Sequence, residues 1–543
     1  MVYRLRKILQ NAVQSVGRMK TAQDRFWRRR LLTGLFGLVL LCTYASTIAQ
    51  DSSTTTIKVN TRLVLLDVTV TDKKGNPVND LTREDFTIFE DKVPQKIRSF
   101  ELPSQHKMPL AAGGEEVVVH SSADLSKIGP APVTILVLDE LNTSFEDMAY
   151  SRYCMEKYLD AQPATMPQPT TMLVVTNTKF SIIHDYTQDR EALRYSLKKH
   201  FPEYPWKMMK SGANSGGAAE RMSLSLGSLY EIAKASSGTP GRKTIIWVGR
   251  GFPTVDVNQL SAKTADTMQD AMKRMVQTML ESHITLFTID PTVNTSSVQP
   301  METPDDLMAA EDQNDGQPFS DEVKFSTLAP ATGGTALFSR NDIDKEVLTS
   351  ITQGANYYTL SYNPTNKSDD VFQYRKILIQ LKNPNLLVVT RDGYYPRISD
   401  TPNPFEASTT PPREAKAQLE MDMATAAMGG MVFAGVPVTV ERAGPSKFNL
   451  KIPLRGLIWV DQQTGLRQAE ISVVVMAFSS KDKPLSHFGT ELVAQTKGDP
   501  SQNGDAQAQF SVPFTVPSNT TRLRFVVRDA SSGKIGTAEI LNR

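Results

Sequence analysis

"TILVLDELNTSFED" occupies residues 134–147. Its apolar and β-branched opening runs without a break into Asp139. Such a run, lacking polar alternation, predicts a strand covered on both faces, as in a parallel sheet. Behind it, "EDMAYSRYCMEKYLD" predicts a helix. A strand that ends on a carboxylate and a loop of small polar residues holds a hard divalent cation in several α/β folds. Asp139, Asn142, Thr143 and Ser144 are therefore the first candidate site residues. The competing reading is structural, with Asp139 capping the helix that follows.

Downstream, strands and helices alternate. "TTMLVVTN" and "FSIIHDY" read as strands, and "TQDREALRYSLKKHF" as a helix with Thr187 as cap. "AERMSLSLGSLYEIAKAS" reads as a helix, "KTIIWVG" as a strand, "NQLSAKTADTMQDAMKRMVQTMLES" as a helix and "ITLFTID" as a strand. A polar insertion at 292–322 precedes "TGGTALF" and a helix at "DIDKEVLTSITQGA". This rhythm predicts a doubly wound parallel sheet with helices on both faces. Ligands of such sheets sit outside the carboxyl ends of the strands, which is where the loop after Asp139 lies. Three strands, "NYYTLSYNP", "FQYRKILIQLK" and "LLVVTRDGYYP", are read as closing this α/β domain, which then spans 131–397.

The flanks are β-rich. Residues 57–103 alternate at period two around Val64, Leu66, Val68 and Val70 and predict a small β-sandwich-like module. Residues 398–429 read as a linker, and the strands and turns of 430–543 predict an antiparallel β-sandwich. The first 49 residues read as an export signal: a basic region, the apolar "LLTGLFGLVLLC", and small residues at Thr47 and Ala49. Cleavage after Ala49 is the first reading and an uncleaved anchor the second. The chain has 543 residues and net charge +2; removing the +8 of the first fifty residues leaves −6, which argues against nucleic acid as a partner. Two cysteines, Cys42 and Cys154, support neither a disulfide framework nor a thiolate metal cluster.

Catalytic motifs are weak. "SGTPGRKT" has the wrong glycine spacing for a phosphate loop and precedes a strand instead of following one. There is no Gly-x-Ser-x-Gly elbow and no His-Glu-x-x-His helix. Cys154 lies inside a helix and reads as a small buried hydrophobe. His184, beside Asp185, reads as a structural strand-end residue. Two stretches suit recognition: the acidic insertion, and the aromatics Phe201, Tyr204 and Trp206 of "FPEYPWK".

The middle of the chain resembles a von Willebrand factor type A domain. That resemblance implies a metal-ion-dependent adhesion site built from Asp-x-Ser-x-Ser, a Thr in a glycine-rich loop, and an Asp after the fourth strand. Asp139 takes the first position, Leu141 stands where a serine is required, and Thr143 takes the next hydroxyl. Ser211 or Ser215 of "SGANSGG" stands in for the Thr, while Gly249 and Arg250 replace the last Asp. The implied site is degenerate, with weak Mg²⁺ binding through Asp139 and Thr143 as its remaining metal chemistry. The order of "LDELNTS", "DYTQD", "GRKTIIWVGRGFP", "ATGGTALF" and "TRDGYYP", with the strands of 57–103 before them, is similar to secreted bacterial von Willebrand factor A-related proteins, best known from acidobacteria. The expectation is a secreted, periplasmic or envelope protein without catalysis that docks a protein or envelope macromolecule at the carboxyl rim of its middle sheet. The alternatives are a hydrolase with a site no motif reveals, and a purely structural envelope component.

Overall fold

Every residue of the strand Val133–Asp139 is buried. The computed structural model describes residues 63–111, 113–176, 180–202, 215–292, 318–338, 342–365, 374–395, 413–462, 466–497 and 506–542. The leader, Cys42 and most of the acidic insertion lie outside them. Six strands form the central sheet: β1 (Val133–Asp139), β2 (Thr165–Val175), β3 (Phe180–Asp189), β4 (Lys243–Val248), β5 (Ile284–Asp290) and β6 (Ala336–Phe338). Their order is β6-β5-β4-β1-β2-β3. All neighbours are parallel except β2 and β3, which pair antiparallel. The expected all-parallel sheet is therefore a mixed one. Only residues 176–179 separate β2 from β3, whereas a parallel crossover needs about a dozen or more.

The helices cover both faces. They are α1 (Phe145–Asp160), α2 (Arg190–Lys199), α3 (Ser215–Ser236), α4 (Ala262–Glu281), α5 (Leu328–Ala331), α6 (Ile343–Ala355) and α7 (Arg413–Met428). Leu136 and Leu138 of β1 pack with Met148 of α1, Leu193 of α2 and Ile351 of α6. Ile135 and Val137 face the other way, toward Leu229 of α3 and Met272 of α4. The period-two geometry of a strand sends alternate residues to opposite faces, so two covered faces demand the uniform apolar run. The helix α2 is capped by Asp189, whose carboxylate accepts the N–H groups of Glu191 and Ala192, and not by Thr187.

The three closing strands do not join this sheet. Val64–Thr71 pairs antiparallel with Tyr358–Tyr362 and with Leu387–Val389, and Phe86–Glu90 pairs with Arg375–Leu381. Two four-stranded sheets result, and Leu66, Val68, Ile88, Leu360, Ile377 and Ile379 share one core. The alternating burial of Arg375–Leu381 marks a strand with one covered face, unlike β1. Fully buried Arg242, just before β4, ties the two parts: it donates to Thr285 Oγ1 (2.8 Å) and Thr69 Oγ1 (3.1 Å).

The expected linker contains α7, which is packed and not merely connecting. Its Asp422 is fully buried and receives Tyr230 Oη from α3, Lys234 Nζ (3.2 Å) and Arg528 Nε (2.8 Å). The strands after α7 form a three-stranded and a five-stranded sheet over a core that includes Phe448, Leu450, Val475 and Phe525.

Beside α7, Glu231 of α3 is buried, and its Oε1 accepts the N–H of Met431 (3.1 Å). Burial pushes its carboxyl up to about 7, with the Met431 N–H and Arg524 opposing the rise. A carboxyl whose folded pKa is raised stabilises the fold fully below its unfolded value and loses that contribution as the pH rises through the folded one. Glu231→Gln should therefore unfold at a higher temperature than the parent at pH 8, with the gap closing toward pH 4.5. Thermal scans across that window check this; a pH-independent gap overturns it.

Candidate functional site

The rim is organised by Asp139, which has no solvent exposure. Its Oδ1 accepts the backbone N–H groups of Leu141 (3.2 Å) and Asn142 (3.0 Å). Its Oδ2 accepts the indole N–H of Trp247 (3.1 Å) and the N–H of Gly251 (2.9 Å). The Asn142 amide donates to both oxygens at 3.1 Å and to Ser225 Oγ of α3 at 3.1 Å. Burial raises the Asp139 carboxyl from its ordinary value, while the donors from Asn142, Trp247 and Gly251 favour its charged form.

The neighbours follow from this knot. Thr143 is buried, and its Oγ1 accepts the N–H of Arg250 (3.2 Å), which joins the loop after β1 to the loop after β4. Gly249 has φ +144°, and a Cβ there would lie 2.4 Å from Asp139 Cβ and 2.6 Å from Thr143 Oγ1. A side chain is excluded at this position by both conformation and space. Ser144 caps α1, its Oγ accepting the N–H of Asp147. The alternative role for Asp139, as that cap, is thus corrected: its bonds run to the loops and not to the first turn of α1. Leu141 is buried in the core. Ser211 lies outside the described residues, and Ser215 opens α3.

These residues do not fit Mg²⁺. A hard cation needs several free oxygen ligands at about 2.1 Å, yet both Asp139 oxygens already face N–H donors. Leu141 and Gly249 supply no oxygen from their side chains. Asn142 Oδ1 is a buried oxygen without a hydrogen-bond partner, but one such oxygen does not make a cation site. Among the described residues no group of three or more His, Cys, Asp or Glu side chains converges to hold a metal.

One pair at the rim escaped the sequence reading. Buried Glu140 receives His200 Nε2 at 2.9 Å, and Arg152 Nη1 lies 3.7 Å from the same oxygen. Arg152 also donates to the carbonyls of Leu197 (2.6 Å) and His200 (3.0 Å). This anchors the end of α2 to the loop after β1. Among the described residues no hydroxyl or thiol is hydrogen-bonded to the His200 ring. His184 Nδ1 contacts the Asp185 carbonyl, while the Asp185 carboxylate takes Ser122, so those two side chains form no catalytic pair. Burial pushes the Cys154 thiol up, away from the reactive thiolate.

The described part of the rim carries exposed side chains. Arg250, Phe145 and Phe201 are exposed there, Phe201 at 87%. A cavity of about 280 Å³ lies at the opposite end of the sheet, lined by Asp67, His283, Arg391 and Tyr395 among others. Compared with protein-family models and with curated proteins, the chain matches none of either.

Two measurements follow for Asp139. Asp139→Asn turns an amide donor toward two buried N–H groups and should cost roughly 2–6 kcal/mol, at about 1–3 for each stranded donor, read by urea unfolding. Millimolar Mg²⁺ should leave the parent midpoint unchanged, because a bound ligand would raise it by RT ln(1 + [L]/Kd). A Mg²⁺-dependent rise lost in Asp139→Asn would restore the metal reading.

Proposed function

We propose that the chain is an exported, non-catalytic protein of the von Willebrand factor A-related kind. In this reading the central α/β unit is a type-A-like domain, and the β parts before and after it are sandwich-like modules. The rim at the carboxyl ends of β1 and β4 docks a protein or another envelope macromolecule. The observation that carries the reading is the preorganised edge itself. Asp139 and Thr143 lock two loops together from beneath, so Arg250 and the aromatics Phe145 and Phe201 stand on a fixed base. A surface held in shape before contact loses little entropy on binding, and exposed aromatics and arginine are the side chains that dominate protein interfaces. Contact at this edge needs no cation, since the oxygens that would bind one serve the fold.

Export rests on the leader, which lies outside the described residues. Among the described residues no helix is long and apolar enough to cross a membrane.

The test is retention of envelope components by the immobilised protein. Arg250→Glu should release the captured partner, whereas chelator should have no effect. Loss of capture with chelator, or equal capture by Arg250→Glu, contradicts the proposal.

A further inference from the structure

The strand Pro484–Lys497 pairs with Leu466–Phe478, and among the described residues it has no partner on its other edge. The pairing keeps one register for twelve successive residues, Leu466↔Lys497 through Ala477↔Ser486. Its sole proline is the first residue. Folded proteins usually blunt such edges with bulges, charges or a covering loop, because a row of unpaired N–H and C=O groups is a template for another strand. On one face, Phe488, Leu492 and Ala494 pack against the core. The alternate residues Leu485, His487, Gly489, Glu491 and Val493 share the opposite face.

That second face is self-complementary. An antiparallel pairing of two copies centred on Gly489 sets Leu485 opposite Val493 and His487 opposite Glu491, each twice. Leu485 (41%) and Val493 (51%) are the large hydrophobic residues exposed on this strand. The centre of the pattern is independently odd. A glycine inside a strand weakens it and often marks a place where another backbone comes close. Here its own fold does not ask for one: the nearest atoms to a side chain at 489 would be Val474 Cγ2 at 3.8 Å and the Val473 carbonyl at 3.9 Å.

We propose that two copies of the chain associate through this edge, as an antiparallel two-fold strand pair centred on Gly489 that continues the five-stranded sheet across the dimer. The occupant is a second copy because the matching residues all lie on the one strand, as an isologous contact requires. Backbone hydrogen bonds supply the attraction, and the Leu485–Val493 and His487–Glu491 pairs set the register.

Sedimentation equilibrium of the full chain tests this. The parent should dimerise, and His487→Glu, which places two carboxylates opposite each other twice, should weaken dimerisation about tenfold. The double change His487→Glu with Glu491→Lys should restore it. Gly489→Cys should yield a covalent dimer under mild oxidation well above the parent, since directly opposed strand residues approach within disulfide range. Far-UV spectra should be unchanged in the charge variants, as should unfolding midpoints measured at dilutions where parent and variants are all monomeric. A parent that stays monomeric at high concentration, or a dimer indifferent to the charge reversals, overturns the proposal.

Discussion

A carboxylate with no solvent exposure sits at the end of the strand on which the α/β unit is built. Burying a charge is costly unless hydrogen bonds replace the lost water, and Asp139 meets that demand with backbone, amide and indole donors from three places. Those donors belong to the loops after β1 and β4 and to β4 itself. The geometry of the rim is thus the solution to one desolvation problem. Gly249 is part of the same solution, because only a residue without a side chain lets the β4 loop pass over Asp139 and Thr143.

The same donors occupy both Asp139 oxygens, the atoms a cation would need. In a metal-binding loop the cation neutralises the carboxylate; here N–H dipoles do so. Leu141 adds to the core. Glu140, next to Asp139, turns to His200 and Arg152 and fixes the neighbouring helix end. The side chains of the loop thus make their contacts beneath the rim.

The parts of the chain are joined by buried polar groups more than by loose connectors. Arg242 bridges the central sheet and the first β part, and Asp422 gathers a tyrosine, a lysine and an arginine where α3, α7 and the last strands meet. Removing one member of such a junction strands its partners out of water, so these contacts hold orientation tightly.

The uninterrupted apolar run before Asp139, the helix behind it, the alternation from 133 to 355 and the strand content of both flanks were all legible in the sequence, because periodicity reports how a segment is buried. It does not report what covers it. The short link between β2 and β3 made their pairing antiparallel, and Arg375–Leu381 found its partner nearly three hundred residues earlier, across the whole central domain. Asp139 was visible as an important residue, but its role depended on donors 108 and 112 positions away, at Trp247 and Gly251. Residue type and spacing offer a carboxylate equally to a cation, a helix end or a set of N–H groups. Only the folded chain, by bringing those groups within hydrogen-bond distance, decides among them.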